Sequence, residues 1–188
     1  MKKVLLTATL IVLGTALTAG LSWADDDERE GGWFSHGFSR GPGVAPVNNE
    51  LYASECGACH FAYQPGLLPA RSWQRLMGSL DKHFGDNAEL GAETQDTLLN
   101  YLVANAADRS GARRSQKIVR SMAPDEAPLR ITETRYIRAK HDEIPLRYIK
   151  DNSKVKSLSN CTACHQRAAQ GDYHEGSVRI PGVGYWED

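Results

Sequence analysis

Sulfur is scarce in this chain, and its distribution limits what the chain can bind. The 188 residues include only four cysteines and three methionines. No methionine follows Met122, so a metal centre near the end of the chain cannot take a thioether ligand from a downstream segment. Met77 is the other methionine beyond the N-terminal segment, and its place on a predicted apolar helix face indicates a packing role.

Long apolar runs and alternating strand patterns are also scarce. Beyond residue 24 no apolar run is long enough to cross a bilayer, and few segments alternate apolar with polar residues as a half-buried strand does. Hydrophobic residues make up 41% of the chain, against about 45–50% on a residue list that also counts glycine. We therefore expect a mostly α fold with extensive loops, in which a bound group supplies part of the apolar core.

The charged residues are unevenly distributed, although the formal net charge is only −1. Residues 25–110 contain 13 acidic and 6 basic residues, a net charge of −7, and residues 111–188 contain 10 acidic and 14 basic residues, a net charge of +4. Such an asymmetry can orient a partner and speed its docking, although two ordinary solvated surfaces would look the same. The basic residues are scattered, so we expect no nucleic-acid site.

The N-terminus has the pattern of a secretory signal peptide. Lys2 and Lys3 precede the apolar run from Val4 to Leu21, and small residues precede a cleavage position after Ala24. The alternative is an uncleaved membrane anchor, because the apolar run approaches spanning length. With either reading, the remainder of the chain is expected outside the cytoplasm.

All four cysteines lie in two identical Cys-x-x-Cys-His frames, CGACH at residues 56–60 and CTACH at residues 161–165. Disulfides or one zinc ion could use these thiols, but neither explains the histidine that follows the second cysteine both times. Cys-x-x-Cys-His is the signature of c-type haem attachment, in which two thiols bond to the porphyrin and the histidine binds the iron. The sequence predicts two covalently bound haem c groups, held by Cys56, Cys59, Cys161 and Cys164, with His60 and His165 as proximal iron ligands.

Two histidines outside the frames are predicted to be distal iron ligands. His83 lies three residues after Leu80 on the apolar face of a predicted helix that ends near Gly85. His141 lies shortly before Pro145, which stops any helix there. At each position the alternative is a histidine with an ordinary core or surface role. Proximity pairs His83 with the first frame and His141 with the second, although the sequence leaves the crossed pairing open.

His36 and His174 are predicted not to be ligands. His36 lies in a glycine-rich stretch, and His174 follows His165 by only nine residues, so the chain would have to loop tightly around the porphyrin edge. A mobile or cramped segment positions a ligand poorly.

The motifs divide the chain into five segments. Residues 1–24 are predicted to be the signal peptide, 25–47 a flexible leader, 48–107 a haem 1 module, 108–130 a linker, and 131–188 a haem 2 module with a tail. Helices are predicted at the first frame, up to His83, over the apolar stripe that contains Leu98 and Leu102, around His141, and from Val155 through Ala169. The prediction is thus two small helical c-type haem modules.

The chain resembles the small periplasmic dihaem cytochrome c family. The resemblance is carried in order over residues 50–182 by ASECGACH, LLPARSWQRLM, HFGDNA, YLVANAAD, ITETRYIRAKHDEIP, SLSNCTACH and GDY before RIPG. It implies low-spin haems with histidine on both faces, and it places the distal role on His83 and His141. It also implies electron transfer with a monohaem c-type cytochrome and a membrane-embedded b-type cytochrome in the periplasm.

The expected function is therefore electron transfer, and we expect neither an enzyme nor a small-molecule substrate. The alternative is a dihaem redox enzyme, peroxidase-like or reductase-like, in which one iron is open to substrate. Such an enzyme needs an acid–base group beside an open iron, and no obvious pair is present. On charge alone, haem 2 in the basic half should be the easier of the two to reduce.

Overall fold

The computed structural model describes residues 43–186, so the predicted signal peptide and most of the predicted leader lie outside it. Within this range the chain is mostly helical, which confirms the predicted fold class, and no helix there is long and apolar enough to cross a membrane. The helices are α1 (Glu50–Gly57), α2 (Ala70–Met77), α3 (Ala92–Ala104), α4 (Arg113–Arg120), α5 (Arg135–Ala139) and α6 (Cys161–Cys164). The strands are β1 (Arg179–Ile180) and β2 (Gly184–Tyr185).

Helix α1, which carries the first cysteine frame, begins at a side-chain cap. The Asn49 Oδ1 atom accepts a hydrogen bond from the backbone N–H of Tyr52 at 2.8 Å. An asparagine in this position satisfies one of the otherwise unpaired N–H groups of the first turn. The cap therefore fixes where α1 starts and, seven residues on, where Cys56 lies.

We expect Asn49→Ala to destabilise α1 by about 1 kcal/mol, because the Tyr52 N–H loses its partner. The free energy of unfolding from chemical denaturation measures the effect. Asn49→Asp keeps a side-chain acceptor and is the control. Equal losses in the two variants would contradict the capping role.

Helices α2 and α3 pack against each other and form the larger of two apolar clusters. Helix α2 begins at Ala70, directly after Pro69, and the Ala70 N–H donates to Asp108 Oδ1 at 2.9 Å. Met77 is only 2% exposed, which confirms its predicted packing role. The buried members of this first cluster are Tyr52, Leu68, Ala70, Trp73, Met77, Leu80, Leu98, Leu102 and Ala106.

A second, smaller cluster joins segments from both halves of the sequence. Ile131 packs against both clusters and so connects them. The module boundaries at residues 107 and 131 stay a prediction. The buried members of the second cluster are Val44, Leu67, Ile118, Met122, Ala168 and Tyr173.

Two predicted helices are shorter than the apolar pattern indicates. Helix α2 stops at Met77 with Gly78 as its C-cap, and a separate 3-10 turn covers Leu80–Lys82, so His83 is not on a continuous helix. The predicted helix from 155 to 169 is reduced to α6 and the 3-10 turn Ala168–Gln170, because Lys156 has a φ of 63° that a right-handed helix excludes. Gly171 is left-handed at φ 74° and ends that turn as its C-cap.

Candidate haem centres

The first cysteine frame and His83 come together in space. The imidazole rings of His60 and His83 have their centroids 6.1 Å apart, and their planes differ by 21°. An imidazole nitrogen lies about 1.1 Å from its ring centroid and a metal–nitrogen bond is about 2.0 Å, so two imidazoles on opposite sides of one metal ion have centroids about 6.2 Å apart. The separation therefore suits one iron between these two rings.

Local contacts prepare both of these rings for metal binding. His60 Nδ1 lies 2.8 Å from the backbone oxygen of Phe61; a proton on Nδ1 makes this a hydrogen bond and leaves Nε2 as the metal-binding nitrogen. Burial, followed by the proximity of His60, lowers the pKa of His83. A lowered pKa keeps this imidazole neutral at pH 7, which is the form that binds a metal.

A tight turn fixes His83 after its 3-10 helix. Phe84 has a φ of 54° and Gly85 a φ of 113°, and the Asp86 N–H donates to the His83 carbonyl at 3.1 Å. A left-handed phenylalanine is uncommon and persists only where its surroundings hold it. Here the Arg130 guanidinium lies 3.9 Å from the Phe84 ring centroid and holds it by a cation–π contact.

The second frame pairs with His141 at the same separation. The centroids of His141 and His165 are 6.1 Å apart, with an interplanar angle of 71°. His141 Nδ1 lies 2.7 Å from the carbonyl oxygen of Ile137 in α5, which again leaves Nε2 for a metal. The near-perpendicular planes distinguish this pair from the near-parallel rings of the first pair.

The second pair faces a large apolar cavity. The cavity encloses about 1080 Å³, including its open mouth, and is lined by both cysteines of the second frame as well as both histidines. Its walls are mostly aliphatic and aromatic, as a cavity for a flat apolar cofactor requires. Other lining residues include Ile137, Ile144, Ile149, Val155, Val178, Ile180, Tyr148 and Trp186.

His165 is the most strongly perturbed histidine of the two pairs. Burial lowers its pKa to about 4, and the nearby His141 and Arg114 contribute in the same direction. Its Nδ1 atom is buried and has no hydrogen-bond partner within the described part of the chain. The ring is therefore neutral at pH 7 and presents its nitrogens to an apolar space.

The donor sets fit haem better than a bare metal ion. Among residues 43–186 no group of three or more His, Cys, Asp or Glu side chains is arranged to hold a metal, whereas a porphyrin supplies four nitrogens and needs only two further ligands. The four cysteines are free thiols. Burial raises the pKa of Cys56 and of Cys161 to about 11 in each case, so both are thiols at pH 7. Net addition of an S–H group across a vinyl group joins sulfur to carbon and needs no oxidant.

An arginine beside the second centre is held in place from several sides. Arg114 lines the cavity, and its guanidinium donates to the Tyr136 hydroxyl at 2.9 Å and to the Tyr173 carbonyl at 3.1 Å. Its Nε atom is buried without a partner in the described residues. This fixed positive charge lies close enough to His165 to lower the pKa of that imidazole.

A buried polar group connects the two centres. Gln64 is fully buried; its amide nitrogen donates to the Ala168 carbonyl, and its Oε1 accepts the Tyr173 hydroxyl proton at 2.6 Å. Tyr63 donates its hydroxyl proton to the Ser159 carbonyl at 2.6 Å. Tyr63 lies 5.1 Å from the His60 ring centroid, and Tyr173 lies 5.3 Å from that of His165.

The remaining histidines are placed as follows. His174 is exposed, and its Nδ1 accepts the Gly176 N–H at 3.1 Å as the cap of a 3-10 turn. His36 lies outside the described residues. The liganding roles of the four paired histidines, and the lack of one for His36 and His174, stay predictions.

Sequence reasoning missed Tyr63, Gln64, Arg114 and Tyr173. Only Tyr173 lies in a segment quoted above, GDY, and no motif assigns a role to any of the four, because their partners lie between 22 and 109 residues away along the chain. An isolated polar residue between apolar ones, such as Gln64 before PGLL, is a weak signal of burial at best.

Comparison with known proteins gives matches to a single family. The family described as dihaem cytochrome c matches residues 52–173. A diheme cytochrome c structure from Shewanella baltica OS155 is 40% identical, with a TM-score of 0.61 over 74% of this chain and 98% of that one. A diheme cytochrome c structure from Rhodobacter sphaeroides is 44% identical, with a TM-score of 0.62 over 69% of this chain and 100% of that one. No curated protein sequence matches significantly.

Proposed function

The chain belongs to the dihaem cytochrome c family, and from this premise we propose that it carries electrons through two centres in which histidines fill both faces of the iron. Membership establishes two covalently attached c-type haems and the general role of a dihaem c-type cytochrome. What the proposal adds is the ligand set and its consequences. When bound, each haem supplies a one-electron couple between ferric and ferrous iron.

The proposal is carried by the two facing imidazole pairs. His60 with His83 and His141 with His165 have the same 6.1 Å centroid separation, although they lie in different local structures. One such pair could arise by chance packing, but two pairs that each include the histidine of a cysteine frame point to a common cause. We assign His60 and His165 as proximal ligands and His83 and His141 as distal ligands.

This arrangement favours a carrier over an enzyme. With a histidine on each face, neither iron has a free position for a substrate, and the ligands need not change when an electron arrives or leaves. The alternative, a peroxidase-like or reductase-like dihaem enzyme, requires one distal histidine to leave its iron. The fixed turn at His83 and the 2.7 Å contact of His141 with Ile137 oppose such a departure.

Replacement of each distal histidine tests the ligand set. We expect His83→Ala and His141→Ala each to convert one of the two low-spin ferric signals in the electron paramagnetic resonance spectrum to a high-spin signal. Each variant should also gain binding of carbon monoxide in the ferrous state, which the wild-type protein should lack.

The control is His174→Ala, because His174 is exposed and caps a surface turn. It should leave both low-spin signals unchanged. A wild-type protein that already binds carbon monoxide stoichiometrically would support the enzyme alternative. A low-spin signal that survives in His83→Ala or His141→Ala would remove that residue from the ligand set.

The proposed setting is the periplasm, with a monohaem c-type cytochrome and a membrane b-type cytochrome as partners. Support for export comes from the signal-peptide pattern of residues 1–24, and support for the partners comes from the resemblance to the small periplasmic dihaem family. The opposite charges of residues 25–110 and 111–188 suit two partners with different surfaces.

Two arginines allow the reduction potentials to be assigned to the centres. Arg114 acts on the second centre and Arg130 lies beside His83 at the first, where its positive charge also helps to lower the pKa of that histidine. A positive charge favours the ferrous state. We expect Arg114→Gln to lower only the potential of haem 2, and Arg130→Gln only that of haem 1.

The expected shift is on the order of 1 kcal/mol for a partly screened unit charge, or about 40 mV for a one-electron couple. Spectroelectrochemical titration of the two variants measures it. Because Arg114 is held rigidly and the second centre is the more enclosed, haem 2 should have the higher potential. If Arg114→Gln shifts the more negative of the two potentials, then haem 2 does not have the higher potential.

A further inference from the structure

The outer wall of the second centre carries an exposed basic and aromatic surface that the proposed electron transfer has not explained. We define the haem 2 face as residues 146–156 and 178–186. The two segments are joined, because Asn152 Nδ2 donates to the Pro181 carbonyl at 2.8 Å and the Tyr148 and Trp186 rings lie 6.1 Å apart. They therefore form one continuous surface.

The same short segments line the cavity on one side and present cations on the other. Ile149 and Val155 line the cavity, whereas their neighbours Lys150, Lys154 and Lys156 are exposed. Strand β1 repeats this pattern, because Ile180 faces the cavity and Arg179 faces the solvent. The wall between the cavity and the solvent is thus only one residue thick.

Exposed charge on this face is almost all positive. The exposed charged residues of the two segments are five basic residues and one acidic residue, a net charge of +4. This equals the net charge of the whole 111–188 half. The residues are Arg147, Lys150, Asp151, Lys154, Lys156 and Arg179.

Apolar and aromatic side chains are exposed among these cations. Leu146 and Tyr185 are 65% and 64% exposed. The Arg147 guanidinium lies 4.5 Å from the Tyr148 ring centroid, and that of Arg179 lies 4.1 Å from the Tyr185 ring centroid. Arginine and aromatic residues are enriched in protein interfaces, and contacts between electron-transfer proteins are small, so a face of this size is sufficient.

We propose that the haem 2 face is the docking surface for a redox protein whose own redox centre is surrounded by acidic residues, and that electrons cross between the proteins at haem 2. This inference rests on the proposed function, because it requires an electron to reach the second centre through the thin wall. An anionic membrane would also attract cations, but docking of a redox protein accounts for their position over the cavity.

The experiment uses the full haem-loaded protein and a reduced acidic [2Fe–2S] ferredoxin as the probe. The rate constant of haem reduction is measured by stopped flow at about 20 mM and about 300 mM salt. Lys150→Glu with Lys154→Glu changes the haem 2 face by four charge units. Arg109→Glu with Arg120→Glu changes the total charge equally, at exposed positions elsewhere.

We expect salt to reduce the wild-type rate constant about tenfold. At low salt the double variant of the haem 2 face should react about tenfold more slowly, and the control less than about twofold more slowly. Equal rate constants for the two double variants, or no salt dependence, would overturn the proposal. Loss of vesicle binding to phosphatidylglycerol-containing membranes in the face variant, without a loss of reduction rate, would assign the face to a membrane instead.

The ferric spectra of the same samples separate this proposal from the function on which it rests. Two low-spin haems in both double variants, with unequal reduction rates, support both. Two low-spin haems with equal rates overturn only the docking surface. An iron that is not low-spin in the wild-type protein overturns the bis-histidine assignment, whatever the rates.

Discussion

Replacing both Cys161 and Cys164 with alanine is expected to unfold the second haem centre. Without covalent haem, the apolar cavity of about 1080 Å³ must collapse or fill with water. Each large apolar side chain that loses its packing contacts costs about 2–5 kcal/mol, and several such side chains line this cavity. The whole free energy of unfolding of a domain is about 5–15 kcal/mol, so residues 131–186 should lose their fixed structure.

The matched variant makes the same change at the first centre, Cys56→Ala with Cys59→Ala. We expect it to be much less damaging, because Trp73, Leu98 and Leu102 form a buried cluster between α2 and α3 that needs no bound group. Limited proteolysis and circular dichroism of both proteins measure the difference. Equal loss of structure in the two variants would show that the second cavity is not the weaker part of the fold.

The second large effect is expected at Gln64. Gln64→Met removes both hydrogen bonds of the buried amide: the Tyr173 hydroxyl loses its partner, and the Ala168 carbonyl keeps only the Gly171 N–H. Burial raises the pKa of Tyr173, so its hydroxyl cannot ionise to relieve the loss. An unsatisfied buried group costs about 1–3 kcal/mol, so the free energy of unfolding should fall by about 3 kcal/mol.

A double-mutant cycle distinguishes this network from a simple size effect. Gln64→Met combined with Tyr173→Phe should cost less than the sum of the two single changes, because the pair of partners is removed together. Gln95→Met is the control: Gln95 donates one bond, to the Met77 carbonyl at 2.7 Å, and its loss should cost about 1 kcal/mol. Strict additivity of the Gln64 and Tyr173 changes would contradict the coupling.

The sequence predicted which histidines lie together better than it predicted the local structure around them. Spacing paired His83 with the first frame and His141 with the second, and the structure brings these rings together at 6.1 Å. The continuous helix predicted up to His83 was wrong, because Gly78 ends α2 and Phe84 adopts a left-handed conformation. Apolar periodicity reports which side chains are buried, and it does so equally for a helix and for a helix followed by a turn.

Long-range polar contacts were beyond sequence reasoning for a different reason. The partner of a buried side chain such as Arg114 or Gln64 is chosen by tertiary packing, which one sequence does not reveal. The haem 2 face was missed because nothing in the sequence indicates that residues 146–156 and 178–186 lie side by side. Its two-residue strands are too short to show an alternating pattern.

Tyr63 has a consequence for how the two centres communicate. Its ring contacts His60, and its hydroxyl is bonded to the carbonyl of Ser159, two residues before Cys161. A single side chain therefore reaches from the proposed ligand of one iron to within two residues of the proposed anchor of the other. The rate constant of electron transfer between the two haems should therefore not depend on solvent viscosity. The rate constant of electron transfer to another protein should fall as the viscosity rises.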